Sequence, residues 1–191
     1  MTNRIALLGW GSLLWDRRRE FDDCHAPWRH DGPTLPIEFS RVSSSRSGAL
    51  TLVIDPDNGV PVTVAWSLSR RRRIDQAIED VRKRECTSER NIGWLSGNEA
   101  RSCDAAALAA IRAWAEERDV QGVVWTDLRG NFAEKTGERF SVESAIRYLM
   151  SLKGEARAKA FQYIRCAPPF VRTPLRDAFD RKIGSLTAQE R

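Results

Sequence analysis

The chain has 191 residues, 41% hydrophobic and 30% charged, with a net charge of +5 and a sequence pI near 9.3. This composition excludes a low-complexity or fibrous chain, and no apolar run approaches the ~20 residues of a membrane-spanning helix. One compact domain is expected over residues 1–185, with a flexible tail at 186–191.

Residues 4–9 form a short apolar run closed by turn residues, which predicts a buried strand. Two glycines within Gly9-Trp10-Gly11 then predict a sharp loop at its end. Residues 16–34 are polar, contain two prolines and read as an excursion. Strands are predicted over 36–42, over 50–54 and over 62–68, where Val62, Val64, Trp66 and Leu68 alternate with smaller residues. Between the last two of these, Asp55-Pro56-Asp57-Asn58-Gly59 is a strong turn signal. A helix is predicted over 71–85, with Ile74, Ala77, Ile78 and Val81 inward. Asp104 is placed to cap a second helix, with Leu108, Ile111 and Ala115 inward. A further strand is predicted over 122–126. Ser141 is placed to cap a helix with Ala145, Ile146 and Leu149 inward. Phe161 and Ile164 mark another, stopped by Ala167-Pro168-Pro169. Thr173-Pro174 opens a last helix that carries Leu175, Ala178 and Phe179 and ends before Gly184. Strands gather early and helices late, an α+β pattern.

The densest basic runs, Arg17-Arg18-Arg19 and residues 70–73, are each followed closely by acids, as on a solvated face, so a nucleic-acid partner is not favoured. Cys24, Cys86, Cys103 and Cys166 include no CxxC pair and no histidine at metal spacing. No secretory leader is expected from the opening residues. The expected compartment is the reducing cytoplasm, with the cysteines as free thiols.

Glu85 is the most informative residue. Ile74, Ile78 and Val81 form an apolar stripe, and four residues past Val81 the same face carries a carboxylate. Turned inward it loses hydration, its pKa is expected to rise, and it is suited to acid/base work. The same spacing also fits a helix that ends before 85, with Glu85 paired to a surface arginine. Arg82, Lys83 and Arg84 are expected to point elsewhere. Gly11-Ser12 after a strand fits an anion-binding nest of main-chain N–H groups or an ordinary tight turn. No G-x-G-x-x-G follows, so it is not a dinucleotide fingerprint. Cys86 with His25 or His30 would make a nucleophile and base, against the simpler reading of a structural thiol. Ser12 does not sit in a G-x-S-x-G elbow.

The run Gly9-Trp10-Gly11-Ser12-Leu13-Leu14-Trp15 resembles the Y-G-S-L signature of the gamma-glutamylcyclotransferases, most closely the ChaC-type, glutathione-degrading branch. Arg46-Ser47-Gly48 followed by Leu50 to Asp55, the strand over 62–68, and Arg84-Glu85-Cys86 are similar to that branch in the same order. The likeness spans residues 4–95. Trp10 stands where the signature has tyrosine, and Cys86-Thr87-Ser88 where the branch has glycines. The resemblance implies an α+β fold with a small mixed, barrel-like sheet, flanking helices and a helical C-terminal part. It implies cyclisation of a gamma-glutamyl amine or peptide to 5-oxoproline, with Glu85 as general acid/base and Trp10, Gly11, Ser12, Leu13 and Arg46 on the substrate. No metal or other cofactor is implied. The partner is a small gamma-glutamyl substrate; no membrane partner is expected. The alternative is a non-catalytic small-molecule-binding or RNA-associated protein on the same fold.

Overall fold

A computed structural model describes the backbone of residues 4–189 and the side chains of residues 4–184. The fold is mixed α+β, with two separate sheets. The chain divides into two compact units: residues up to Leu35 with Thr63–Leu128, and Pro36–Val62 with the chain from Arg129 onward. Among the described residues no helix is long and apolar enough to cross a membrane.

The first unit is built on β1 (Ile5–Gly9), β5 (Ala65–Leu68), β6 (Ile92–Ser96), β7 (Glu99–Arg101) and β8 (Gly122–Thr126), in the order β5-β1-β8-β6-β7. β1 pairs parallel to β8, and the remaining pairings are antiparallel. All five residues of β1 are buried, as its unbroken apolar run requires. Helix α2 (Ile74–Arg84) packs across β1, β6 and β8, and α3 (Ala105–Glu117) packs on β8. A short α1 (Arg19–Asp22) lies against α2. The core joins Ile5, Leu7, Ile92 and Val124 of the sheet to Ala77, Ile78 and Val81 of α2. The Asp104 cap is present: its carboxylate accepts the Ala107 N–H at 2.6 Å.

The polar excursion is not a free loop. Residues 25–33 run along β5, with Ala26 N–H donating to Leu68 O and Arg29 N–H to Trp66 O, each at 2.8 Å. The segment thereby covers the outer edge of β5. His25, within the polar excursion, is buried between the Phe21 and Trp28 rings.

The second unit holds β2 (Thr34–Ser43), β3 (Ala49–Ile54) and β4 (Val60–Thr63) in the order β3-β2-β4, with α4 (Phe132–Thr136), α5 (Val142–Ser151), α6 (Gly154–Cys166) and α7 (Pro174–Gln189). Every residue of β3 is buried, and α6 packs against it. Ser141 forms a reciprocal capping box with Ser144. Helix α7 continues through Gly184 to Gln189, beyond the expected stop, so 186–189 are helical; 190 and 191 lie outside the described residues.

Two expectations are corrected. The sheet is not barrel-like: two open sheets form, and neither closes. The single strand expected over 62–68 is cut at Val64, whose N–H donates to Pro33 O and whose carbonyl accepts from Gly32, each at 3.0 Å. These bonds take Val64 out of the ladder. β4 then joins the three-stranded sheet and β5 the five-stranded one.

A buried carboxylate sits at the start of α7. Glu38 is fully buried and accepts from Thr173 Oγ1 at 2.6 Å, from its neighbour Phe39 N–H at 2.7 Å and from Leu175 N–H at 3.4 Å. Burial pushes its pKa above the ordinary carboxylate value despite these donors. The folded chain thus holds this proton more tightly than the unfolded chain. The stabilisation is complete below the unfolded value and is lost as pH rises toward the raised one. Comparing wild type with Glu38→Gln by chemical unfolding, the stability difference should move in favour of the variant as pH goes from about 4 to 7. A difference that ignores pH would show that Glu38 titrates alike in both states.

Candidate functional site around Glu85

Helix α2 buries Ala77, Ile78, Val81 and Arg84. Its C-cap is Glu85, whose N–H still donates to Val81 O at 2.9 Å. The helical spacing therefore does carry through to residue 85. The Glu85 side chain is 20% exposed, and its Oε1 is buried.

Directly after the cap the chain reverses. Cys86 adopts a left-handed conformation with φ 48°. Its N–H donates to Lys83 O at 3.1 Å and the Thr87 N–H to Arg82 O at 3.2 Å, the two bonds of a Schellman ending. This ending normally takes glycine, because a Cβ costs about 1–2 kcal/mol in the left-handed region. Cys86→Gly should therefore raise the unfolding free energy by about 1 kcal/mol. A lower denaturant midpoint in the variant would show that Cys86 is unstrained there.

The loop after β1 is equally defined. Leu14 N–H donates to Gly11 O at 3.0 Å and Asp16 N–H to Ser12 O at 2.9 Å, giving a compact turn. Trp10, Ser12 and Leu13 are buried, and Gly11 is half-buried. The Leu13 side chain enters the core beside Ile78 and Val81. Among the described residues, no acceptor is bonded to the N–H of Gly11 or of Leu13. Gly9 keeps the approach tight: a Cβ there would lie 3.0 Å from the Trp28 ring and 3.2 Å from Leu14.

Arg84 joins the two halves, and its position corrects the expectation that it points away. Its side chain is only 2% exposed. Nη2 donates to Ser12 O at 3.1 Å and to Asp16 O at 2.6 Å, and lies 3.5 Å from the Asp16 carboxylate. Nη1 lies 3.6 Å from Glu85 Oε1. One guanidinium thus bridges the loop carbonyls and the candidate acid/base. The signal was present in the sequence, since residue 84 lies three past Val81 and seven past Ala77 on the buried face.

The Cys/His pairing does not form. Cys86 Sγ has Lys83 O as its partner at 3.5 Å. His25 Nδ1 lies 2.6 Å from Ala26 O and 3.1 Å from Ser67 Oγ, and its Nε2 faces Asp22 at 3.9 Å. None of the four cysteines is in a disulfide.

Arg46 belongs to the other unit. It ends a 3-10 turn after β2, with its guanidinium over the Tyr163 ring, 5.2 Å from the centroid. The glycine beside it has a structural reason. Gly48 has φ 86°, and a Cβ there would lie 2.8 Å from the Tyr148 hydroxyl, which donates to Gly48 O at 2.7 Å.

The arginine runs are largely neutralised locally. Arg17 pairs with Asp22 at 2.9 Å, Arg71 with Asp80 at 2.7 Å and Arg73 with Asp75 at 2.8 Å. The first unit carries 16 basic and 16 acidic residues, so the net +5 comes from the second, with 15 against 10.

Comparison of the chain with family models, curated proteins and solved structures gives no match.

Proposed function

We propose that this chain is a gamma-glutamylcyclotransferase-like enzyme that cyclises a gamma-glutamyl amine or peptide to 5-oxoproline, with Glu85 as general acid/base. The observation that carries the reading is the buried Arg84 guanidinium, shared between Glu85 and the loop carbonyls of Ser12 and Asp16. It ties a carboxylate at a helix end to a turn whose Gly11 and Leu13 amides have no acceptor among the described residues. The sequence resemblance names the same two segments.

In this reading Glu85 takes a proton from the substrate's α-amino group. The amine attacks the γ-carbonyl of the same residue, forming the ring C–N bond. The oxyanion that develops is met by the N–H groups of the 11–13 loop. Collapse breaks the γ-amide C–N bond, and Glu85 returns its proton to the departing nitrogen. Both reacting groups belong to one substrate residue, so holding the folded-back conformer is a large part of the rate. Trp10, buried at the root of the loop, takes a supporting place. Arg46 has no assigned contact in this scheme. The local pairing of the arginine runs gives the RNA-associated alternative no support.

The test is direct. The protein is incubated with glutathione, gamma-glutamyl dipeptides and gamma-glutamyl amines, and 5-oxoproline is measured. Absence of 5-oxoproline across the set removes the reading.

A further inference from the structure

We infer that Arg84 is a positioning residue that sets the direction of the loop donors and their relation to the Glu85 carboxylate. The inference rests on the reading of Glu85 as acid/base and adds a residue to it.

A guanidinium offers five donors in a rigid planar fork, so it can hold groups on two sides at a fixed angle. Here one nitrogen holds two carbonyls of the 11–16 loop, and the other faces the carboxylate. A side chain 2% exposed has little freedom to swing away. A buried guanidinium also needs compensation for lost hydration, which the two carbonyls and the Asp16 and Glu85 carboxylates supply.

The effect on the loop follows from peptide geometry. The described peptide bonds are all trans. In a trans peptide the C=O and N–H point in opposite directions. The Ser12 carbonyl is turned onto Arg84, so the Leu13 N–H of that same peptide is turned away from it. Leu13 is further pinned by its side chain, which sits in the core beside Ile78 and Val81. Arg84 and the Leu13 side chain together fix the orientation of a main-chain donor that has no acceptor among the described residues. The effect on Glu85 is one of placement, because the guanidinium lies 3.6 Å from Oε1 and attracts the carboxylate toward the loop it holds. On the loop side the Asp16 carboxylate lies 3.5 Å from Arg84, and Arg18 lies 3.5 Å from Asp16.

The test compares full-length wild type with Arg84→Lys and Arg84→Met. Amide hydrogen exchange is followed at Leu14 and Asp16, the two bonded amides of the turn, with Leu7 and Val124 as internal references. Exchange at Leu14 and Asp16 should quicken at least about tenfold in Arg84→Met and less in Arg84→Lys, with the references unchanged. Turnover of the best gamma-glutamyl substrate should lose about 10²-fold in kcat in Arg84→Met and about tenfold in Arg84→Lys, with KM nearly constant. A merely structural arginine would lower the yield of folded protein without separating kcat from KM in the protein that folds.

Unchanged Leu14 and Asp16 exchange in folded Arg84→Met overturns the inference, whatever the activity. Unchanged kcat in the same variant overturns it as well. Should Arg84→Met fail to fold, Arg84→Lys decides by the same readouts. A wild type that makes no 5-oxoproline sinks the enzymatic reading, and exchange still judges the hold of Arg84 on the loop.

Discussion

Glu85→Gln is expected to abolish 5-oxoproline formation, with a loss of at least about 10³-fold in kcat. The substitution keeps the shape of the side chain and one acceptor oxygen, and removes only the ability to carry a proton at ordinary pH. The scaffold should tolerate it. The side chain is 20% exposed, and Arg84 keeps the Ser12 and Asp16 carbonyls and the Asp16 carboxylate. The change in stability is therefore expected to stay within about 1 kcal/mol. Two measurements separate the outcomes: 5-oxoproline released per folded molecule, and the thermal midpoint. A folded variant with wild-type turnover removes Glu85 from the chemistry. A variant that loses activity together with several degrees of thermal midpoint shows that the carboxylate was chiefly holding Arg84 in place.

The contrast between Glu85 and Arg84 shows what a sequence can disclose. The apolar stripe of α2 placed residue 85 near the buried face, and the helix cap confirms the spacing. The same stripe pointed equally to residue 84, but charge argued that an arginine belonged outside. Only the three-dimensional placement of the Ser12 and Asp16 carbonyls makes a buried guanidinium acceptable there, and those lie 72 and 68 residues away in the chain. Local devices were legible for the same reason that distant ones were not. The Asp104 cap, the Ser141 cap and the Thr173-Pro174 start each involve a few neighbouring residues. The break at Val64 depends on Gly32 and Pro33, so alternation alone suggested one continuous strand. The hairpin of β6 and β7 escaped because Gly93 interrupts its apolar pattern.

That same glycine gives the largest expected effect on stability. Gly93 faces Trp125 across the β6–β8 pair. A Cβ on Gly93 would lie 2.2 Å from Cε2 and Nε1 of the indole, far inside contact distance. The ring has nowhere to go. It is fully buried, and its Nε1 donates to Asp127 Oδ1 at 3.2 Å. Asp127 is committed in turn: it accepts the Cys103 N–H at 2.5 Å, just ahead of α3. Moving the indole would therefore strain the central ladder or break a buried polar network at the root of a helix. Gly93→Ala should cost about 3 kcal/mol, at the upper end for overpacking, and lower the thermal midpoint by roughly 6–12 °C. Gly184→Ala is the matched comparison. It lies in α7 with nothing among the described residues within 4 Å of its added Cβ, and alanine there should be neutral or stabilising by up to about 1 kcal/mol. Equal stabilities for the two variants would mean that the sheet has slack at Gly93. A selective loss at Gly93 would show that β6 and β8 must approach closely, and it is this pairing that carries Ile92 and Val124 into the core beneath α2.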